Sequence, residues 1–152
     1  MRKLITILLV IVATSIAFDS CTSYENGPAF SLQTPKKRIA GEWHLTDVLV
    51  NDKHEQTLFD NEANSILTLN SNGSFIYNRE TTSTLGEMTG QWTFGEDKTE
   101  LVLTQTDTVN TGAERIYRIT RLSKNEMWLV NGSEEYSGID DLIERHFEKK
   151  EE

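Results

Sequence analysis

The chain is 152 residues long, 37% hydrophobic and 26% charged, with one Cys, two Pro and a formal charge of −9. That is enough for one globular domain with its own core, and the composition excludes a low-complexity or disordered polypeptide. A single Cys excludes an internal disulfide framework and any multi-Cys metal site, while the acidic balance argues against a nucleic-acid partner held through its phosphates.

Arg2 and Lys3 give a short positive start, and Leu4 to Ala17 follow without a charge. A membrane-spanning helix needs about 20 apolar residues, so this run has instead the length of the hydrophobic region of a signal peptide. Ser20 stands directly before Cys21. The arrangement resembles a bacterial lipoprotein signal, in which a small residue precedes a Cys whose thiol takes a diacylglycerol before cleavage. Phe18 stands where Leu is usual, and Asp19 where a small residue is common. The resemblance implies a signal peptide over residues 1–20 and Cys21 as the lipidation site, with two or three acyl chains making a stable anchor. The alternative is an ordinary secretory signal cut near Ala17, with Cys21 a free thiol.

Thr22 to Arg38 is polar and irregular, with Gly27, Pro28 and Pro35. Residues 21–38 are therefore expected to be a flexible tether, and residues 39–149 the folded domain. Lys36-Lys37-Arg38 reads as a solvated entry to the first strand. A contact with anionic headgroups is the weaker reading, because four or more basic residues are the usual signature.

From Gly41 the pattern becomes that of strands. Trp43-His44-Leu45-Thr46 alternates, and Val48-Leu49-Val50 then runs continuously; such a change of phase predicts a bulge or a bend. Asp52 to Ala63 holds the one helical candidate, with a cap at Asn51 or Asp52, or else a coil over one end of the sheet. Ile66 to Leu69 and Phe75 to Tyr77 are strands around Asn70-Ser71-Asn72-Gly73, a hairpin signal. Met88, Gly90, Trp92 and Phe94 fall at period two and predict one strand face. Leu101 and Leu103 share a face, Ile116 begins another strand, and Met127 to Val130 follows the turn at Ser123-Lys124-Asn125. Leu142 to Phe147 closes the series, with Ile143, Arg145 and Phe147 on one face and Arg145 near an end or stacked on an aromatic ring.

About eight strands joined mostly by short turns imply an antiparallel meander. An open meander of that size leaves unpaired edges, so the expected fold is all-β, an eight-stranded up-and-down barrel closed on itself. Such a barrel is either filled by side chains or holds one small ligand. Gly41-Glu42-Trp43 at the start of the first strand is a lipocalin mark. Taken with Cys21, Leu67-Thr68-Leu69-Asn70-Ser71-Asn72-Gly73-Ser74-Phe75, Gly90-Gln91-Trp92-Thr93-Phe94 and Arg118 to Leu129, the chain resembles the lipocalin-like domain lipoproteins of Gram-negative bacteria. That resemblance implies a lipid-anchored barrel of the cell envelope, at the outer membrane. The lipocalin Thr-Asp-Tyr motif is missing; the late Arg that stacks on the first Trp is either Arg121 or Arg145.

Signals of chemistry are sparse. His44, His54 and His146 stand apart from one another and from any Cys, which is no transition-metal pattern. No Gly-x-Ser-x-Gly elbow, dinucleotide fingerprint or calcium loop is present. Glu134-Glu135, Asp140-Asp141 and Glu151-Glu152 read as solvated charges, because neighbours on a strand face opposite ways. The expectation is a non-catalytic protein without a cofactor, a monomer whose partners are the membrane and a small apolar ligand. Trp43, Phe75, Tyr77, Trp92, Phe94, Tyr117 and Trp128 are the candidate lining of the barrel, either as core or as a ligand pocket at its mouth with residues 51–64 as lid. The alternative function is an envelope accessory protein with a filled barrel that meets a protein partner.

Overall fold

The computed structural model describes residues 24–27, 32–81, 84–95, 97–107, 111–131 and 142–150. Residues 1–20, Cys21, Glu134-Glu135, Asp140-Asp141 and Glu151-Glu152 lie outside the described residues. The chain forms α1 (Pro35–Ile39), β1 (Gly41–Val50), β2 (Lys53–His54), α2 (Gln56–Glu62), β3 (Ile66–Leu69), β4 (Ser74–Thr81) and β5 (Thr84–Phe94). These are followed by β6 (Glu100–Gln105), β7 (Glu114–Leu122), β8 (Glu126–Asn131) and β9 (Ile143–Lys149).

Each strand from β3 to β9 pairs antiparallel with the next, and β1 joins β3 on one side and β9 on the other. Eight strands thus close into the expected lipocalin-like barrel. The short β2 hangs outside the ring on the second half of β1. Closure requires a strand to bend, and the register of β1 against β9 shifts between Leu45 and Asp47, where the sequence changes phase. A second shift lies between Ile119 and Arg121 of β7.

Inward side chains alternate along the strands and make one core. At its centre are Trp43, Phe75, Leu67, Leu69, Leu101, Leu103, Met127 and Phe147, all 2% exposed or less. Complete burial of a large apolar side chain contributes about 1.5–3 kcal/mol, so this layer outweighs any surface interaction. Gly90 shows how tightly it is packed. A Cβ on Gly90 would stand 2.0 Å from the Thr104 carbonyl oxygen and 2.8 Å from a Phe75 ring carbon. The β5 residue must lack a side chain for Phe75 to lie across it.

One end of the barrel is sealed by α1. Thr34 caps the helix by accepting from the Lys37 N–H, and Pro35 supplies the first residue, where no amide hydrogen is needed. Ile39 is fully buried, and its carbonyl accepts from Trp43 Nε1 at 2.7 Å. Lys149 lies over the Trp43 ring, its Nζ 4.8 Å from the centroid, and donates to the Arg38 and Ala40 carbonyls at 2.7 Å each. A cation at a helix C-terminus satisfies the orphan carbonyls there. Gly41 makes room for it, since a Cβ there would meet Lys149 Cε at 2.5 Å. The partner of the first Trp is therefore Lys149, and the expected Arg121 or Arg145 is corrected. Lys149 is the β9 residue opposite Trp43 in the register.

The expected tether is also corrected where it is described. Tyr24 is buried and donates from its hydroxyl to the Lys98 carbonyl at 3.1 Å. The Asn26 N–H donates to the Thr120 carbonyl at 2.8 Å, at the register shift of β7. Arg38 is buried rather than solvated, its Nη1 donating to the Leu122 carbonyl at 2.7 Å and its guanidinium 5.6 Å from the Tyr24 ring centroid. Burial pushes the Tyr24 phenol up to about 12, with Arg38 opposing the shift.

Gly90→Ala is expected to destabilise the barrel by roughly 2 kcal/mol, the scale of overpacking in a rigid core. Urea denaturation of the two proteins measures it, and an unchanged midpoint refutes the packing argument.

Candidate functional site

At the opposite end, β1 turns back on itself through Asn51 and Asp52. Both have positive φ, 50° and 64°, and Val50 pairs with Lys53 across them. A two-residue hairpin of this kind needs positive φ at both positions, which Asn and Asp tolerate. Asn51 and Asp52 are therefore turn residues and not the helix cap expected of them. The cap of α2 is Glu55, whose carboxylate accepts from the Thr57 N–H.

At seven residues α2 is too short to hold itself in water. What fixes it is its contact with the barrel. Leu58 and Phe59 pack against the core, and Glu62, the last helical residue, reaches into the barrel mouth. The Glu62 side chain is 3% exposed. Its Oε2 accepts from Arg145 Nε at 2.8 Å, its Oε1 accepts from Arg145 Nη2 at 3.1 Å, and Arg79 Nη2 bonds the same Oε1. Arg145 is itself buried, with Nη1 donating to Asn131 Oδ1 at 2.7 Å. Side chains of α2, β4, β8 and β9 thus meet in one polar cluster over an apolar interior.

Burial pushes the Glu62 carboxyl up, but the Arg145 bond and the charges of Arg145 and Arg79 outweigh it, and the group sits below its ordinary value of 4.5. A general acid needs the opposite shift. A carboxylate held ionised by two guanidiniums is an anchor and not a proton donor. Burial also raises the Tyr77 phenol, which stays protonated at neutral pH.

The interior below the cluster is nearly full. A cavity of about 10 Å³ is bounded by Leu67, Tyr77, Leu103, Tyr117, Leu129, Arg145 and Phe147. That is room for about one water molecule. Of the candidate lining residues, Tyr77 and Tyr117 border this space. Trp43, Phe75 and Trp92 are inward and buried as core of the sealed half. Trp92 donates from Nε1 to the Asn70 carbonyl at 2.9 Å, and half-buried Phe94 meets it edge-on with centroids 5.6 Å apart.

Trp128 is corrected: it faces outward. Met127 and Leu129 take the inward positions of β8, so the residue between them points away from the core. There it stacks on His146, with centroids 4.0 Å apart and planes 8° from parallel, and Arg121 sits 5.1 Å from its ring. Arg121, Trp128 and His146 are register partners across β7, β8 and β9. Each His is bonded to an acidic residue: His44 to Glu42, His54 to Asp47 and His146 to Glu144. Among the described residues, no cluster of His, Cys, Asp and Glu is placed to hold a metal ion.

Residue patterning placed Arg145 on an inward face but missed Glu62 and Arg79. The usable signal was Arg145 itself: a cation on an apolar face demands a buried counter-charge. An acidic residue in the segment expected as a lid was the place to look.

Residues 39–129 match the family model described as a lipocalin-like domain. Among solved structures, the chain is similar to bovine odorant binding protein in complex with a selenium-containing odorant, at 11% identity and a TM-score of 0.48, over 82% of this chain and 78% of that one. It is similar also to the bovine odorant binding protein complex with undecanal (12% identity, TM-score 0.48, 82% and 79% covered). The bovine nasal mucosa odorant-binding protein matches at 12% identity and a TM-score of 0.47, with 82% and 79% covered. Among curated proteins, none matches.

The depressed Glu62 value has a definite sign. A carboxyl whose folded value lies below its unfolded one contributes stability above the unfolded value, and that contribution is lost as pH falls through the folded value. Relative to Glu62→Gln, the wild-type protein is therefore expected to be more stable at pH 7 and to lose that advantage progressively below about pH 4.5. Thermal melts of both proteins from about pH 3 to 7 measure the difference. A gap that is constant across this range refutes the ionised pair.

Proposed function

The chain belongs to the lipocalin-like domain family, and from that premise we propose that it is a non-catalytic, lipid-anchored binding protein of the cell envelope, a monomer that holds a small apolar molecule under the α2 lid. The observation that carries this reading is the buried Glu62–Arg145–Arg79 cluster, which fastens a marginal helix over the one end of the barrel that α1 does not seal. A seven-residue helix beside the short β2 hairpin, outside the ring of eight strands, can be released without unfolding the barrel. Opening it exposes Tyr77, Tyr117 and Arg145, an apolar wall with a few polar groups, as small-molecule sites have.

Anchoring rests on the sequence: the charged start, the uncharged run to Ala17 and Ser20 before Cys21. The membrane proposed is the outer one. Among the described residues no helix is long and apolar enough to cross a membrane, and the acyl chains on Cys21 would carry the attachment. A second reading has its own observation. The cavity among Tyr77, Tyr117 and Arg145 is about 10 Å³, which favours a filled barrel that meets a protein partner through its outer face.

Two measurements test these readings. Cys21→Ala is expected to move the protein from the membrane to the soluble fraction; retention in the membrane overturns lipid anchoring. Native mass spectrometry of the full-length protein, taken from its own envelope, is expected to show the polypeptide with a small molecule bound. Bare polypeptide alongside a cross-linked protein partner overturns the ligand-holding reading in favour of the second.

A further inference from the structure

A class of ligand can be assigned only if the ligand-holding reading stands, and that reading leaves the class open. The α2 lid offers the barrel a definite chemistry: one carboxylate, from Glu62, and two apolar side chains, Leu58 and Phe59. Three observations mark this contact as a stand-in.

The first is the position of Glu62. It ends α2, where the helix carbonyls accumulate negative charge and a carboxylate is disfavoured, and no basic residue of the last turn compensates. The arginines of β4 and β9 fix its place, and its own helix opposes it. The second is the imbalance of charge. Among the described residues, two guanidiniums face one carboxylate, and Arg79 Nε is buried with no hydrogen-bond partner. Arg145 satisfies Glu62 through two parallel N–H donors, the geometry that carboxylates favour. The third is space. The cavity bordered by Arg145 holds about 10 Å³, which is room for about one water molecule. Beside Arg145, a larger molecule needs the place that Glu62 now takes.

We propose that α2 is an internal surrogate for the ligand, and that the ligand is a small apolar carboxylate. Its head takes the place of Glu62 on Arg145 and Arg79, and its apolar body takes the place of Leu58 and Phe59 against the core. A neutral apolar molecule displacing the lid would leave Arg145 buried without a counter-charge, a strongly unfavourable state. Selectivity for the acid thus arises from the penalty on its neutral analogues. Because the binding-competent state is the open one, apparent affinity scales with the open fraction.

The probes are octanoate and 1-octanol, titrated calorimetrically into the full-length protein. Octanoate is expected to bind about ten-fold or more tightly than octanol. Phe59→Ala, which loosens the lid without touching the arginines, is expected to tighten octanoate binding about ten-fold; should it not fold, Leu58→Ala serves the same purpose. Arg79→Gln removes the same bond from the closed lid and from the bound acid, so it is expected to leave octanoate binding within about two-fold and to tighten octanol binding about ten-fold; octanoate weakened ten-fold with octanol unchanged overturns the exchange of Glu62 for the ligand. Equal affinity for the two probes overturns the carboxylate assignment while the ligand-holding reading stands. Octanoate affinity unchanged by the lid variants overturns the surrogate role of α2. Failure of both probes to bind the wild-type protein and the lid variants overturns this inference together with the reading beneath it.

Discussion

The pairing of β1 with β9 governs the rest of the molecule. It runs from Trp43 against Lys149 to Val50 against Ile143, and it joins the beginning of the domain to its end. Without it, eight meandering strands would present two unpaired edges. With it, every strand of the ring has two neighbours and only one face of each can turn inward. The same register sets the two ends: Lys149 is delivered to Trp43 and the α1 carbonyls, and Arg145, four residues earlier, is delivered to the mouth. One cation seals an end, while the other is neutralised by Glu62 from α2.

The two ends differ in the kind of bond that holds them. At the α1 end, a fully buried indole and the Arg38 and Ala40 carbonyls share the contact with Lys149, Ile39 is fully buried, and most of the interaction is apolar burial. At the α2 end the contact is chiefly electrostatic. A buried ion pair contributes little net stability, because desolvation offsets much of the Coulomb attraction, yet removing one partner is costly. Such a contact holds position sharply and can be exchanged for another of the same charge. This asymmetry follows from residue type alone: carboxylate and guanidinium are replaceable partners, whereas Trp43 and Ile39 are part of the core.

Much of the barrel was legible in the amino-acid pattern. The period-two faces of Met88 to Phe94 and of Leu101 and Leu103, the Asn70 to Gly73 hairpin and the bulge after Leu45 all follow from local rules, and the structure has them. Closure followed from the absence of any device to protect an edge. What could not be read locally was the orientation of isolated aromatics. Trp128 resembles its counterparts on other strands, but Met127 and Leu129 claim the interior and the indole turns outward to His146. Long-range pairings were equally hidden. Glu62 lies 83 residues from Arg145, and no periodicity links them. The tether reading failed at Tyr24 and Arg38 for a related reason: a polar, Pro-containing segment can still place single side chains in a gap of the core.

The docking of Tyr24 and Asn26 ties the segment that follows Cys21 to the wall of the barrel. Asn26 bonds the backbone where the β7 register slips, and Tyr24 bonds the turn carrying Lys98 while its ring meets Arg38 of the α1 seal. Cys21 and Tyr24 are three positions apart, a reach of about 10 Å when fully extended. With Cys21 acylated, the barrel has no long leash. An acyl chain at that position would place the sealed base, and not the α2 end, nearest the attachment point. In that arrangement the α2 end would face the aqueous compartment, and any molecule held there would exchange with water and not with the leaflet underneath.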